Sequence, residues 1–118
     1  MKLKRVYTSH FPFATYMAIT FYPFVFIKLA KAGKYTPTMN RHEITHAHQQ
    51  IEMAWILFFL FYIVEWMIKI PVCLFDFDKA YRSISFEQEA YYNQGNVNYN
   101  KERKHYAWVK YIFKLYNK

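Results

Sequence analysis

The sequence predicts an α+β, mainly helical domain spanning residues 1–118. It comprises a short N-terminal β-hairpin, a long helix, a second helix after a connector, and a C-terminal helix. Three observations carry this. Two β-forming, aromatic runs at 15–21 and 24–29 are split by Tyr22-Pro23. Apolar residues then recur at three- and four-residue spacing from Ile44 to Phe58. A chain of 118 residues is enough for one core but not two.

Each element has a local reason. The 11–30 stretch is about long enough to span a bilayer, but the internal proline and the β-branched composition favour strands joined by a turn. Its prolines and the lack of a small-residue cleavage site argue against a secretory leader. Residues 31–38 read as a loop, in which Thr36 or Thr38, or Asn40 just beyond, can cap the next helix. Residues 40–70 read as one helix or as two joined by a kink. Ile44, Ala47, Ile51, Ala54 and Phe58 form its core-facing stripe. From Ala54 to Val64 the pattern is apolar all round, and Pro71 stops it. Residues 71–82 read as an irregular connector. Ser83 or Ser85 then caps a helix over 86–91, Gly95 breaks it, and 101–116 reads as a basic, aromatic final helix.

Composition narrows the function. With 54% hydrophobic and 23% aromatic residues the chain has ample apolar surface to fold, so disorder is excluded. That surface exceeds what a small monomer easily hides, which points to a membrane surface or a partner. The net charge is +8, and cationic residues gather at the ends: Lys2, Lys4 and Arg5 at the start; Lys101, Arg103, Lys104, Lys110, Lys114 and Lys118 towards the finish. Aromatic residues interleave with the second group, a pattern that suits a membrane interface at least as well as nucleic acid. Cys73 is the single cysteine, so no intrachain disulfide forms.

The chemistry-bearing motif is His42-Glu43-Ile44-Thr45-His46. Residues four apart share one side of a helix, so both imidazoles reach one metal ion. Glu43 is angled towards a water activated by that ion and acts as general base. Zinc needs a third protein ligand. Glu52 and Glu65 lie on the same helix and cannot fold back; His48 is off the face. Glu87, Glu89 and His105 remain, and the two glutamates point nearly opposite ways. A straight helix from His46 to Ile70 would travel about 36 Å, and an extended connector of about 14 residues covers roughly 46 Å. A kink near Trp55 would ease that return. Tyr81, Tyr91 and His105 are candidates to stabilise an oxyanion. Glu65 is expected to pair with Lys69 one turn on.

His42-Glu43-x-x-His46 followed by Glu87-x-x-Ala90 resembles the gluzincin group of metallopeptidases. Asn40-x-His42-Glu43-x-x-His46, the glutamines after it, and Phe86-Glu87-x-Glu89-Ala90-Tyr91 are also similar to a group of short bacterial zincin-like proteins. The resemblance implies Zn2+ held by His42, His46 and Glu87, with Glu43 catalytic. It implies hydrolysis of a peptide or protein substrate taken up beside a sheet edge. Tyr91 stands where the group has an aspartate, so Glu89 or another residue must orient a histidine. The rival readings are a zincin-like protein that binds metal without turnover, and a basic, aromatic membrane-interface or nucleic-acid module with an accidental motif.

Overall fold

The computed structural model describes residues 2–8 and 18–117, with only the backbone for 30–32. The α+β, mainly helical class holds. Residues 15–17, expected to begin the first strand of the hairpin, lie outside the described residues. That hairpin is β2 (Ala18–Phe21) and β3 (Phe24–Lys28), paired antiparallel from Phe21↔Phe24 to Ala18↔Ile27 around the Tyr22-Pro23 turn. It belongs to a larger sheet. β1 (Lys4–Thr8) adds in parallel to β3, giving the order β1-β3-β2. The cationic start thus serves as an edge strand, where charged side chains are tolerated. Val25 and Ile27 alternate inward from the central strand and are fully buried.

A 3-10 turn at Leu29–Lys34 replaces the start of the expected loop. Helix α1 (Pro37–Glu52) comes next, with Pro37 in its first turn, where a missing N–H costs nothing. Thr36 is its cap, its hydroxyl accepting from the Met39 N–H at 3.2 Å. The expected apolar stripe is not what α1 buries: Ala47 is buried, but Ile51 is exposed. The inward face carries His42, Glu43, Thr45, His46, Gln49 and Gln50, because the site, not an apolar core, lies beneath it.

The long helix is two helices. At Ala54 and Trp55 the backbone takes φ values of +51° and +57°, and α2 (Ile56–Val72) leaves at 112° to α1. This break solves the return problem. Pro71 sits within the last turn of α2, one residue short of its end. The connector is not wholly irregular: α3 (Phe77–Arg82) forms after Asp76, whose carboxylate accepts from the Lys79 N–H at 3.1 Å. The exposed Arg82–Asp78 pair at 3.2 Å adds little.

Helix α4 (Ser85–Asn93) has no serine cap. Its first N–H is satisfied from α2: the Glu65 carboxylate accepts from the Ser85 N–H at 2.7 Å and from the Ser85 hydroxyl at 2.6 Å. Glu65 also pairs with Lys69 at 3.1 Å, as expected. The final helix is corrected. A short α5 (Tyr99–Glu102) and a 3-10 turn at Ala107–Tyr111 replace it. Tertiary bonds override local propensity here. Buried Arg103 reaches Glu52 at 2.8 Å and Glu89 at 2.7 Å, and the Glu52 carboxylate also accepts the Tyr106 N–H at 3.0 Å. Tyr106 then adopts a left-handed conformation. Met53, Phe58, Ile84, Phe86 and Trp108 form the apolar core, with Phe58 and Phe86 ring centroids 4.6 Å apart.

Arg103 neutralises two buried carboxylates on different helices, so its removal leaves both uncompensated. Arg103→Leu is expected to lose about 3–5 kcal/mol of stability, read as a shifted urea midpoint of the full chain; a change under about 1 kcal/mol would show that the C-terminal segment is not what joins α1 to α4.

Candidate metal centre

The middle of α1 and the first turn of α4 meet face to face. From α1, His42 and His46 present their Nε2 atoms 3.1 Å apart. From α4, Glu87 places Oε1 3.1 Å from His42 Nε2 and Oε2 3.2 Å from His46 Nε2. All three residues are buried, and their candidate ligand atoms lie within 4.8 Å of one another. Donor atoms around a tetrahedral ion with bonds near 2.0–2.1 Å are about 3.3 Å apart. The buried group formed by His42, His46 and Glu87 can hold a metal ion.

The remaining hydrogen bonds favour this. The Gln49 amide donates to the Phe86 carbonyl at 3.1 Å and to Glu89 at 2.9 Å, so its oxygen faces His46 Nδ1 at 2.8 Å. Gln94 Oε1 lies 2.8 Å from His42 Nδ1. Each Nδ1 therefore carries a proton, which leaves each Nε2 to offer a lone pair to a cation or to take up a proton itself. Two lone pairs and a carboxylate converge on one point, and a cation relieves their mutual repulsion.

The electrostatics agree. Burial disfavours a charged His46, but Glu87 and Glu43 outweigh it and push its pKa up to about 9. Burial would raise Glu87, yet His46 and His42 hold it well below the usual carboxylate range. Glu43 is pushed upward by burial, against the pull of both imidazoles. The cluster attracts positive charge, and a metal ion competes there with a proton.

Glu43 is positioned from the sheet. Its Oε1 accepts the Thr20 hydroxyl of β2 at 2.8 Å, while Oε2 lies 4.0 Å from His42 Nε2. Gln50 holds β2 to α1, accepting from the Tyr22 N–H at 2.7 Å and donating to the Thr20 carbonyl at 2.6 Å. Glu43, His46 and Glu87 border a pocket of about 240 Å³, whose other walls are chiefly apolar and come from α2 and β2.

Glu89 touches no histidine; it bonds Arg103, Tyr99 and Gln49 and orients His46 only through Gln49. Of the oxyanion candidates, Tyr81 borders the pocket. Tyr91 packs its ring on His42, centroids 4.5 Å apart, and His105 lies exposed against Glu52. Gln49 and Gln50, whose commoner fate is solvated surface, are fully buried. Gln49 had a signal, three residues beyond His46 on the same face; Gln94, seven beyond Glu87, had a weaker one. Thr20 and Tyr62, whose hydroxyl donates to Glu87 Oε2 at 2.6 Å, had none.

The full chain is expected to bind about one divalent ion, measured by mass spectrometry of the metal content. His46→Ala and Glu87→Gln abolish binding and Glu89→Gln keeps it. Gln49→Leu weakens it about 10–100-fold. Equal metal content in the wild type and Glu87→Gln would remove Glu87 from the ligand set.

No family model, curated protein or solved structure matches the chain.

Proposed function

We propose that the protein is a zinc-dependent peptidase in which His42, His46 and Glu87 hold the ion and Glu43 is the general base. The observation that supports this best is the position of Glu43. It is not one of the three converging ligands, yet it borders the same pocket, and a hydroxyl from the sheet fixes one of its oxygens. A purely structural metal site has no use for a second, buried carboxylate at an opening.

When bound, zinc supplies a Lewis acid that lowers the pKa of water towards neutrality and polarises a carbonyl. The chain does the rest. Thr20 holds Glu43 Oε1, which leaves Oε2 to take a proton from the attacking water. The water oxygen bonds to the peptide carbon, the C–N bond breaks, and Glu43 returns its proton to the leaving amine. Tyr81 borders the pocket, where a phenol can donate to the developing oxyanion. Burial and nearby Glu87 raise its pKa, which keeps that proton on the ring. Phe58, Phe59, Ile63 and Trp66 line the apolar part of the pocket and suit a bulky apolar side chain beside the scissile bond.

Zinc-loaded protein incubated with a peptide mixture is expected to cleave next to large apolar residues. Glu43→Gln keeps its zinc and loses about 10²–10⁴-fold in rate. Zinc-loaded wild type that leaves every peptide intact would defeat the peptidase reading and leave a metal-binding protein.

A further inference from the structure

Helix α2 is inside out for a helix on a water-facing surface. Its two charged residues, Glu65 and Lys69, both turn inward. Glu65 caps α4, and the Lys69 ammonium donates to the carbonyls of Ser83 and Lys114. Its outward face carries Ile56, Leu60, Ile63, Val64, Met67 and Ile68, each about half exposed or more. No ionisable group interrupts this face, the reverse of a solvated amphipathic helix. Such a large patch calls for an apolar cover.

The surrounding chemistry indicates which cover. The C-terminal segment lies along α2, joined by the Lys69–Lys114 bond at 2.9 Å and the Phe61–Trp108 ring contact at 6.3 Å. There, exposed apolar and basic residues alternate: Val109, Lys110, Phe113 and Lys114, with Phe113 99% exposed. No carboxylate among the described residues pairs with either lysine. The whole chain carries +8. A second copy on this face would bring two such basic borders together, whereas a bilayer with anionic headgroups offers both an apolar layer and the opposite charge.

We propose that the outer face of α2, with Val109 and Phe113, docks into the surface of an anionic bilayer, and that Lys110 and Lys114 bind lipid phosphates at its border. The helix lies in the plane of the interface. Its 17 residues extend only about 26 Å, and no single helix among the described residues is long and apolar enough to cross. Ile63 belongs to both this face and the pocket wall, so docking brings the pocket to the headgroup layer. The proposal stands independently of the metal reading.

The test is flotation of the full chain with vesicles of phosphatidylcholine, alone or mixed with phosphatidylglycerol, beside sedimentation velocity without vesicles. The wild type is expected to float with the mixed vesicles and far less with phosphatidylcholine alone. Val64→Glu/Met67→Glu abolishes flotation, and Lys110→Gln/Lys114→Gln weakens it about thirtyfold; circular dichroism verifies that both variants fold. Wild type that stays unbound overturns the proposal. A stable dimer split by Val64→Glu/Met67→Glu would name a second copy as the cover instead. Equal flotation with both vesicle types overturns the role of the lysines.

Discussion

The Glu87 carboxylate is shut away from water between two imidazoles, and the architecture follows from keeping it there. An ionised carboxylate in a protein interior costs several kcal/mol unless partners compensate it. Three helices meet there. α1 brings two ring nitrogens at 3.1 and 3.2 Å, α2 brings the Tyr62 hydroxyl at 2.6 Å, and α4 carries the carboxylate itself. For α1 and α2 to reach the same group, the chain must turn sharply between them. Residues 54 and 55 provide that turn through positive φ values, which are usually left to glycine or asparagine.

From this centre a polar chain runs outward. His46 bonds Gln49, Gln49 bonds Glu89, Glu89 bonds Arg103, and Arg103 bonds Glu52 at the end of α1. Every member is buried or nearly so, and each bond fixes the orientation of the next. Such a network is favourable only when its members are satisfied, which accounts for the C-terminal segment abandoning a regular helix at Arg103–Tyr106. It also supplies what Tyr91 cannot. The acidic group behind the histidine is reached through an amide rather than directly, while Tyr91 supports His42 by ring packing.

Features that depend on spacing alone were legible in the sequence. Four-residue separation put His42 and His46 on one face, the Tyr22-Pro23 interruption marked the hairpin turn, and the length of the return path pointed to a kink near Trp55. Features that depend on contacts between distant segments were hidden. The cationic start carried no strand signal, because a parallel edge strand pairs with a segment some twenty residues away. The cap of α4 comes from Glu65, twenty residues earlier, so the nearby serines were misleading. The apolar stripe misled for a deeper reason. Amphipathic periodicity assumes an apolar interior, and α1 faces a polar one.

That inversion links the site to the surface. The interior beneath α1 and α4 is filled by His, Glu, Gln, Ser and Thr side chains that hold one another, with Gln49, Gln88 and Glu89 fully buried. A chain that is 54% hydrophobic therefore has less interior left for its apolar residues than its composition suggests. The compact aromatic cluster around Phe58 and Phe86 takes part of them. Many of the others remain outside, and their densest run lines α2 and its continuation at Leu74, which is 88% exposed. Random surplus would spread over the surface as isolated side chains. Instead the same helix turns its polar groups towards the ligand helix and its apolar groups away. A single α2 thereby satisfies Glu87, caps α4 and presents one uncharged face, which joins the proposed metal chemistry and the proposed bilayer docking in one structural element.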